Sequence, residues 1–176
     1  MGENQSNRMR IALCGYLGSG CTEVAEILAA KFDLEVFNTS GILKSVKGFE
    51  TLSRSGEIDL DKIVKTRLDE ILKPDNVIIE GRSGFMLLDR KDVIKIFLNA
   101  SLDDRVKHVA QKRGISAENA RDDVARSDEE RNQLIQRFLS KNCPDVSNYD
   151  FSIRTGAKTY SKIADTIANV TKSSTL

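Results

Sequence analysis

Residues Arg10–Thr22 read RIALCGYLGSGCT. The first five, Arg10–Cys14, form a short apolar run that stops at Gly15, as a buried strand does. From Cys21 to Phe32, Val24, Ile27, Leu28 and Phe32 recur at helical spacing. Between them lies Gly15-Tyr16-Leu17-Gly18-Ser19-Gly20-Cys21-Thr22, and a strand–loop–helix context is what a phosphate-binding loop requires. The glycines let the backbone curl so that several amides point inward, and a helix N-terminus adds its own attraction for phosphate oxygens. The Thr22 hydroxyl is placed to ligate Mg²⁺. One position departs from the pattern G-x-x-x-x-G-K-[ST]: Cys21 stands where lysine is expected. Losing one charged stabiliser of a transferring phosphate costs on the order of 2–4 kcal/mol. That is roughly a hundredfold or more in rate, unless another cation fills the gap. The alternative to a phosphate loop is a glycine turn that serves packing only. Cys21 is either a silent packed thiol or, because a helix N-terminus lowers a thiol pKa, a reactive one.

The remaining sequence continues the alternation. Leu34–Phe37, Asn76–Glu80, Val93–Leu98 and Tyr149–Ile153 read as further strands. Residues 38–58 are polar and irregular, with a short helix near Ile42–Val46. Asp59 reads either as a contact near an acceptor site or as the N-cap of a helix that carries Leu60, Ile63, Val64, Ile71 and Leu72 on one face and is closed by Pro74. A helix over Leu102–Lys112 ends at Gly114, and Ser116 caps the next. That next stretch is unusually polar between Arg121 and Gln133, so it cannot pack on a core along its full length. Pro144 breaks the chain, and Tyr160, Ile163, Ala164 and Ile167 stripe a last helix. Strands alternating with helices predict a parallel sheet covered on both faces.

Composition narrows the function. The chain has 176 residues, enough for one domain with a sizeable core. Lys+Arg is 27 against Asp+Glu 26, and that balance argues against a nucleic-acid binder. No apolar run approaches the length of a membrane span, and no signal-peptide pattern opens the chain. Cys14, Cys21 and Cys143 have no metal-ligand spacing and read as reduced thiols of a cytoplasmic protein. Residues 1–8 read as a flexible tail, with Met9 as an alternative start, and 173–176 as a frayed end. The opening MGENQS fits the loose myristoylation pattern, but no polybasic run follows that would support stable anchoring. His108, between Lys107 and Val109, reads as a surface histidine. Tyr16 and Leu17 are placed to pack against whatever covers the loop.

Taken together, these segments resemble the nucleoside monophosphate kinases, and most specifically the archaeal-type cytidylate kinase family, over nearly all of residues 9–170. Gly18-Ser19-Gly20-Cys21-Thr22 is similar to the family's GSG-T-T loop, in which threonine often takes the lysine position. Glu80-Gly81-Arg82 resembles its EGR, Phe97–Asp103 (FLNASLD) its strand and helix start, and Gly114–Ala120 (GISAENA) its entry into a lid. Tyr149-Asp150-Phe151, before Thr155, is similar to the family's YDLVINT. There are departures. Thr39-Ser40-Gly41 runs into Ile42, where the family tends to place an acid. Lys44 falls where related kinases place a phosphate-binding arginine. Arg154 replaces a small polar residue. Arg126 fits the first lid arginine, but Arg131 and Arg137 fit the second only with a spacing change.

The resemblance implies a P-loop NTPase-like three-layer α/β fold: a five-stranded parallel sheet, helices on both faces and a helical lid. The kinase domain would span residues 9–172, with acceptor binding near 38–75 and the lid near 113–141. ATP and Mg²⁺ would be held by Gly15, Gly18, Ser19, Gly20, Cys21 and Thr22, with Glu80 reaching the metal through water. Arg82 would grip the acceptor's phosphate, alongside Ser40, Gly41 and Lys44. Arg82, Arg126 and Arg131 would serve catalysis. Arg126 and Arg131 are about 500° apart around a regular helix and do not share one face, so Arg126 would bind while Arg131 or Arg137 points elsewhere. The implied reaction moves the ATP γ-phosphate to CMP or dCMP in a cytoplasmic monomer that binds neither nucleic acid nor membrane. Two other readings are a kinase for AMP, UMP or a small molecule, and a nucleotide-binding protein without turnover. For the segment 113–141 itself, the alternative to a lid is a solvated, ion-paired helix.

Overall fold

The computed structural model describes residues 9–46, 59–141 and 145–173. The expected tail, the last residues of the frayed end, the 47–58 part of the polar stretch, and Cys143 with the Pro144 break lie outside them.

Five parallel strands form one sheet in the order β2-β3-β1-β4-β5: β1 Arg10–Gly15, β2 Glu35–Phe37, β3 Val77–Glu80, β4 Ile94–Asn99 and β5 Phe151–Arg154. Side chains alternate across each strand. Ile11, Leu13, Ile78, Ile96, Leu98 and Ile153 point to one face and pack with helices α1 (Cys21–Phe32) and α6 (Tyr160–Ser173). Ala12, Cys14, Val77, Ile79 and Phe97 point to the other. There they meet α3 (Leu60–Ile71), the 3-10 segment Gly81–Leu87 and the carboxyl-terminal half of α5 (Ala117–Leu139). The expected three-layer α/β fold is therefore present, with the central strand β1 ending in the glycine loop.

Local chemistry explains the boundaries. The Asn38 carboxamide accepts from the Gly41 amide at 2.8 Å, so α2 (Thr39–Lys44) starts earlier than the expected Ile42–Val46. Asp59 caps α3 as read, accepting from the Lys62 amide. Helix α4 (Leu102–Arg113) ends where Gly114 turns left-handed at φ 64°, and Ser116 caps α5 by accepting from the Asn119 amide. The fifth strand begins two residues later than expected. Tyr149 closes a 3-10 turn, and the Asp150 carboxylate accepts from the Lys95 amide at 2.7 Å. Among the described residues no helix is long and apolar enough to cross a membrane.

Helices α4 and α5 form a hairpin with a small core of its own: Val106, Val109, Ala120 and Val124, with Leu17 of the glycine loop packed against it. The polar stretch is one continuous helix, whose Leu134 and Ile135 enter the main core.

Candidate active site

The loop between β1 and α1 is shaped by its glycines. Gly18 and Gly20 both adopt φ 87°, a region side-chain-bearing residues rarely visit. A Cβ on Gly18 would lie 2.6 Å from the Arg105 carbonyl oxygen, and one on Gly20 would lie 2.5 Å from the Tyr160 ring. The loop closes on itself where the Ser19 amide donates to the Tyr16 carbonyl at 3.0 Å. The Ser19 hydroxyl is buried and, among the described residues, has no hydrogen-bond partner. An unpaired buried hydroxyl beside inward-facing backbone is costly unless a ligand satisfies it. This is the observation that fits a phosphate group to the loop.

A cleft of about 240 Å³ opens over the loop. Besides Gly15–Glu23 it is lined by Glu80, Gly81, His108, Val109, Lys112, Arg113 and Arg131. Thr22 Oγ1 donates to Glu80 Oε1 at 3.2 Å, so the two residues expected at a metal are adjacent. Burial is the main cause that holds the Glu80 carboxyl above its ordinary pKa, against hydrogen bonds from Thr22 and Asn38. One hydroxyl and one carboxylate suit Mg²⁺, which takes few protein oxygens and completes its shell with water and substrate phosphates.

Cys21 is buried at the start of α1. Its thiol pKa is pushed far up, first by burial and then by the neighbouring Glu80 charge, while Arg131 opposes the rise. Burial thus disfavours the thiolate, which favours the packed-thiol reading over the reactive one. Of the two lid arginines, Arg131 lines the cleft and Arg126 does not. Arg126 is exposed and pairs with Asp123 at 2.5 Å, on a different face of α5. The turn of the helix separates them, as the five-residue spacing requires.

His108 is not the free surface residue expected. Its side chain is 23% exposed, its Nδ1 meets the Tyr160 hydroxyl at 2.8 Å, and its Nε2 lies 3.3 Å from Glu23. Lys112 Nζ reaches the same Glu23 oxygen at 2.6 Å. Burial alone would push the Glu23 carboxyl up, but the Lys112 hydrogen bond and the nearby charges hold it below its ordinary pKa. A second tie crosses the loop. Arg105 makes a two-pronged bridge to Asp128 of α5 at 2.9 Å and donates to the Leu17 carbonyl, with its guanidinium over the Tyr16 ring. The Tyr16 hydroxyl donates to Asn132 at 3.0 Å. Tyr16 and Leu17 thus do pack against the α4–α5 hairpin.

Beyond Glu80 lies a larger cleft of about 620 Å³, lined by Asp61, Arg82, Leu134 and the polar face of α5 from Glu129 to Arg137. Arg82 is here, at the carboxyl end of β3 as expected. Ser40, Gly41 and Lys44 are not among the residues lining either cleft. They lie on exposed α2 positions, where Gly41 serves the Asn38 cap. Arg154, exposed at the end of β5, lies outside both clefts as well. Sequence reasoning missed Asp61, Arg105, Asp128 and Lys112, and offered Arg137 only as an alternative second lid arginine. Each acts through a partner distant in sequence, and no local pattern announces such a pairing.

Comparison with known proteins bears on this arrangement. Residues 39–157 match the profile of the cytidylate kinase-like family. The chain belongs to that family. It is 28% identical to the cytidylate kinase of Sulfolobus acidocaldarius, across 92% of this chain and 93% of that one. It is 30% identical to the cytidylate kinase of Methanosarcina mazei, across 82% and 86%. Two solved structures share the fold at low identity. An uncharacterized protein from Eubacterium ventriosum superimposes with a TM-score of 0.74 at 20% identity, over 94% of this chain and 99% of that one. The shikimate kinase of Acinetobacter baumannii, solved with shikimate, gives 0.67 at 15%, over 96% of each. These likenesses show the fold alone, and here the glycine-loop cleft is lined by Gly15 and Glu80, the last residues of β1 and β3.

Proposed function

We propose that this member of the cytidylate kinase-like family transfers the γ-phosphate of ATP to CMP or dCMP, giving ADP and CDP or dCDP. Membership of the family carries the coarser statement, that the chain is a nucleoside monophosphate kinase. One observation supports the two-substrate reading best. The glycine-loop cleft and the Arg82 cleft are lined by neighbouring residues of two segments: Glu80, Gly81 and Arg131 line the first, and Arg82, Glu130 and Asn132 line the second. Open parallel sheets bind ligands at the carboxyl ends of their strands, and phosphoryl transfer needs donor and acceptor held in line.

The residues divide the work accordingly. The loop amides of Gly18–Thr22 and the Ser19 hydroxyl hold the donor's phosphates. Arg131 brings positive charge to the side of the loop where Cys21 supplies none. Thr22 and Glu80 would hold Mg²⁺, which when bound neutralises charge on the donor phosphates. Arg82 orients the acceptor's phosphate. Within the expected lid, near 113–141, Ala120 and Val124 pack on Val106 and Val109 of α4, so the α4–α5 hairpin would close over the donor as one unit that carries Arg126. The neutral Cys21 leaves the loop's shape intact, so the expected loss is of charge and not of the cradle.

An acceptor panel tests the assignment. ADP release from Mg·ATP is measured with CMP, dCMP, UMP and AMP offered separately. Release that depends on CMP or dCMP is expected. Release driven by AMP or UMP moves the acceptor, and ATP binding without release on any acceptor leaves a nucleotide-binding protein.

A further inference from the structure

Two arginines from separate parts of the chain converge on one carboxylate in the larger cleft. Arg82 Nη2 donates to both oxygens of Asp61, at 3.0 and 3.1 Å. Arg137, near the end of α5, donates to Asp61 Oδ2 as well, and lies 3.5 Å from Asp59. Glu130 stands 3.5 Å from the other Arg82 nitrogen. The Asp61 side chain is only 14% exposed, so this is not an ordinary solvated surface bridge. Asp61, Arg82 and Arg137 all line the cleft.

The charges here are out of balance for an anion-binding site. Two guanidinium groups face three carboxylates, Asp59, Asp61 and Glu130, all within 3.5 Å. A monophosphate would add further negative charge to a region already in surplus. Yet guanidinium N–H groups donate to carboxylate and phosphate oxygens in the same way. The oxygens of Asp61 therefore occupy the position that two phosphate oxygens would take.

We propose that Arg82 and Arg137 together form the clamp for the acceptor's monophosphate, and that Asp61 is the resident carboxylate filling that clamp until the acceptor displaces it. The inference rests on the kinase reading above and adds Arg137 and Asp61 to its acceptor site. It makes acceptor binding an exchange of anions. Asp61 keeps both arginines ordered in the free protein, and a ligand without a phosphate cannot replace it. The device discriminates a nucleotide from its nucleoside.

The test compares the native protein with Asp61→Asn and Arg137→Gln, measuring KM for CMP and for ATP separately. Asp61→Asn removes the competing charge at constant size, and KM for CMP is expected to fall about tenfold. Arg137→Gln is expected to raise it about tenfold, and neither change should move KM for ATP. A CMP KM that rises or stays constant in Asp61→Asn overturns the inference. A second measurement needs no turnover. Without ligand, Asp61→Asn leaves two guanidinium groups unneutralised and should melt lower than the native protein. Inorganic phosphate should restore its melting temperature at about tenfold lower concentration than it stabilises the native protein. Equal phosphate dependence in the two proteins contradicts the clamp. If the native chain phosphorylates no monophosphate, the kinase reading fails while the phosphate titration still decides the clamp.

Discussion

Cys21 stands where a phosphate loop usually carries lysine, and its surroundings make it an inert, neutral thiol. Burial and the Glu80 charge hold its pKa far above the ordinary thiol range, and the thiolate is the reactive form. In a Cys143→Ser background, a disulfide reagent at pH 8 should leave Cys14 and Cys21 unmodified in the folded protein and label both on unfolding in urea. Rapid labelling of Cys21 in the native state would contradict its placement. Glu80 illustrates the opposite tension. Burial raises its carboxyl pKa, so the fold favours the protonated form. The stabilisation that follows is fully present below the ordinary carboxylate pKa and is lost as pH rises through the raised value. At neutral pH an ionised Glu80 therefore weakens the free protein. Glu80→Gln should stabilise it by about 1 kcal/mol at pH 7 and lower Mg²⁺-dependent turnover, read by urea melts and ADP release. A destabilised but fully active variant would show that Glu80 serves packing alone. At this scale the loop was legible, because its pattern is local. The environment of Cys21 was not, because Glu80 and Arg131 arrive from distant segments.

Helices α4 and α5 show what can be read of an element before its partners are known. Their caps at Ser101, Ser116 and Gly114 follow from chemistry within one turn, and of these the Gly114 stop and the Ser116 cap were legible. Helical spacing also showed that Arg126 and Arg131 cannot share a face. It could not say which one meets the loop, because that depends on how α5 is pinned. The pin is Arg105, whose side chain is 8% exposed and is bridged to Asp128. Removing one partner of such a pair leaves an uncompensated buried charge. Asp128→Ala should cost about 3 kcal/mol in urea denaturation, whereas the double change Arg105→Met with Asp128→Leu should recover most of that loss. A cost below about 0.5 kcal/mol for Asp128→Ala would place the pair among ordinary surface bridges.

Across the whole molecule, the alternation of apolar runs and amphipathic stretches was enough to predict a parallel sheet with two covered faces. The strand order β2-β3-β1-β4-β5 was not legible from periodicity, which says which side of a strand is apolar but not which strand lies beside it. That order decides the function. It sets the end of β3, with Glu80 and Arg82, directly beside the end of β1 and its glycine loop. Ser40, Gly41 and Lys44 stay outside the clefts because α2, which follows the edge strand β2, turns Ile42 into the core and leaves these three positions exposed. The larger cleft is framed instead by α3 and α5, whose polar faces the sequence presents as ordinary solvated helix.

A glycine loop without its lysine should still direct phosphoryl transfer to a cytidine monophosphate. The most direct measurement is ³¹P NMR of the products formed from Mg·ATP and CMP by the native protein, beside a Cys21→Lys variant. The account predicts the paired resonances of ADP and CDP growing together with the native cysteine in place. No CDP from the native chain, with CDP appearing only once lysine is restored at position 21, would contradict it.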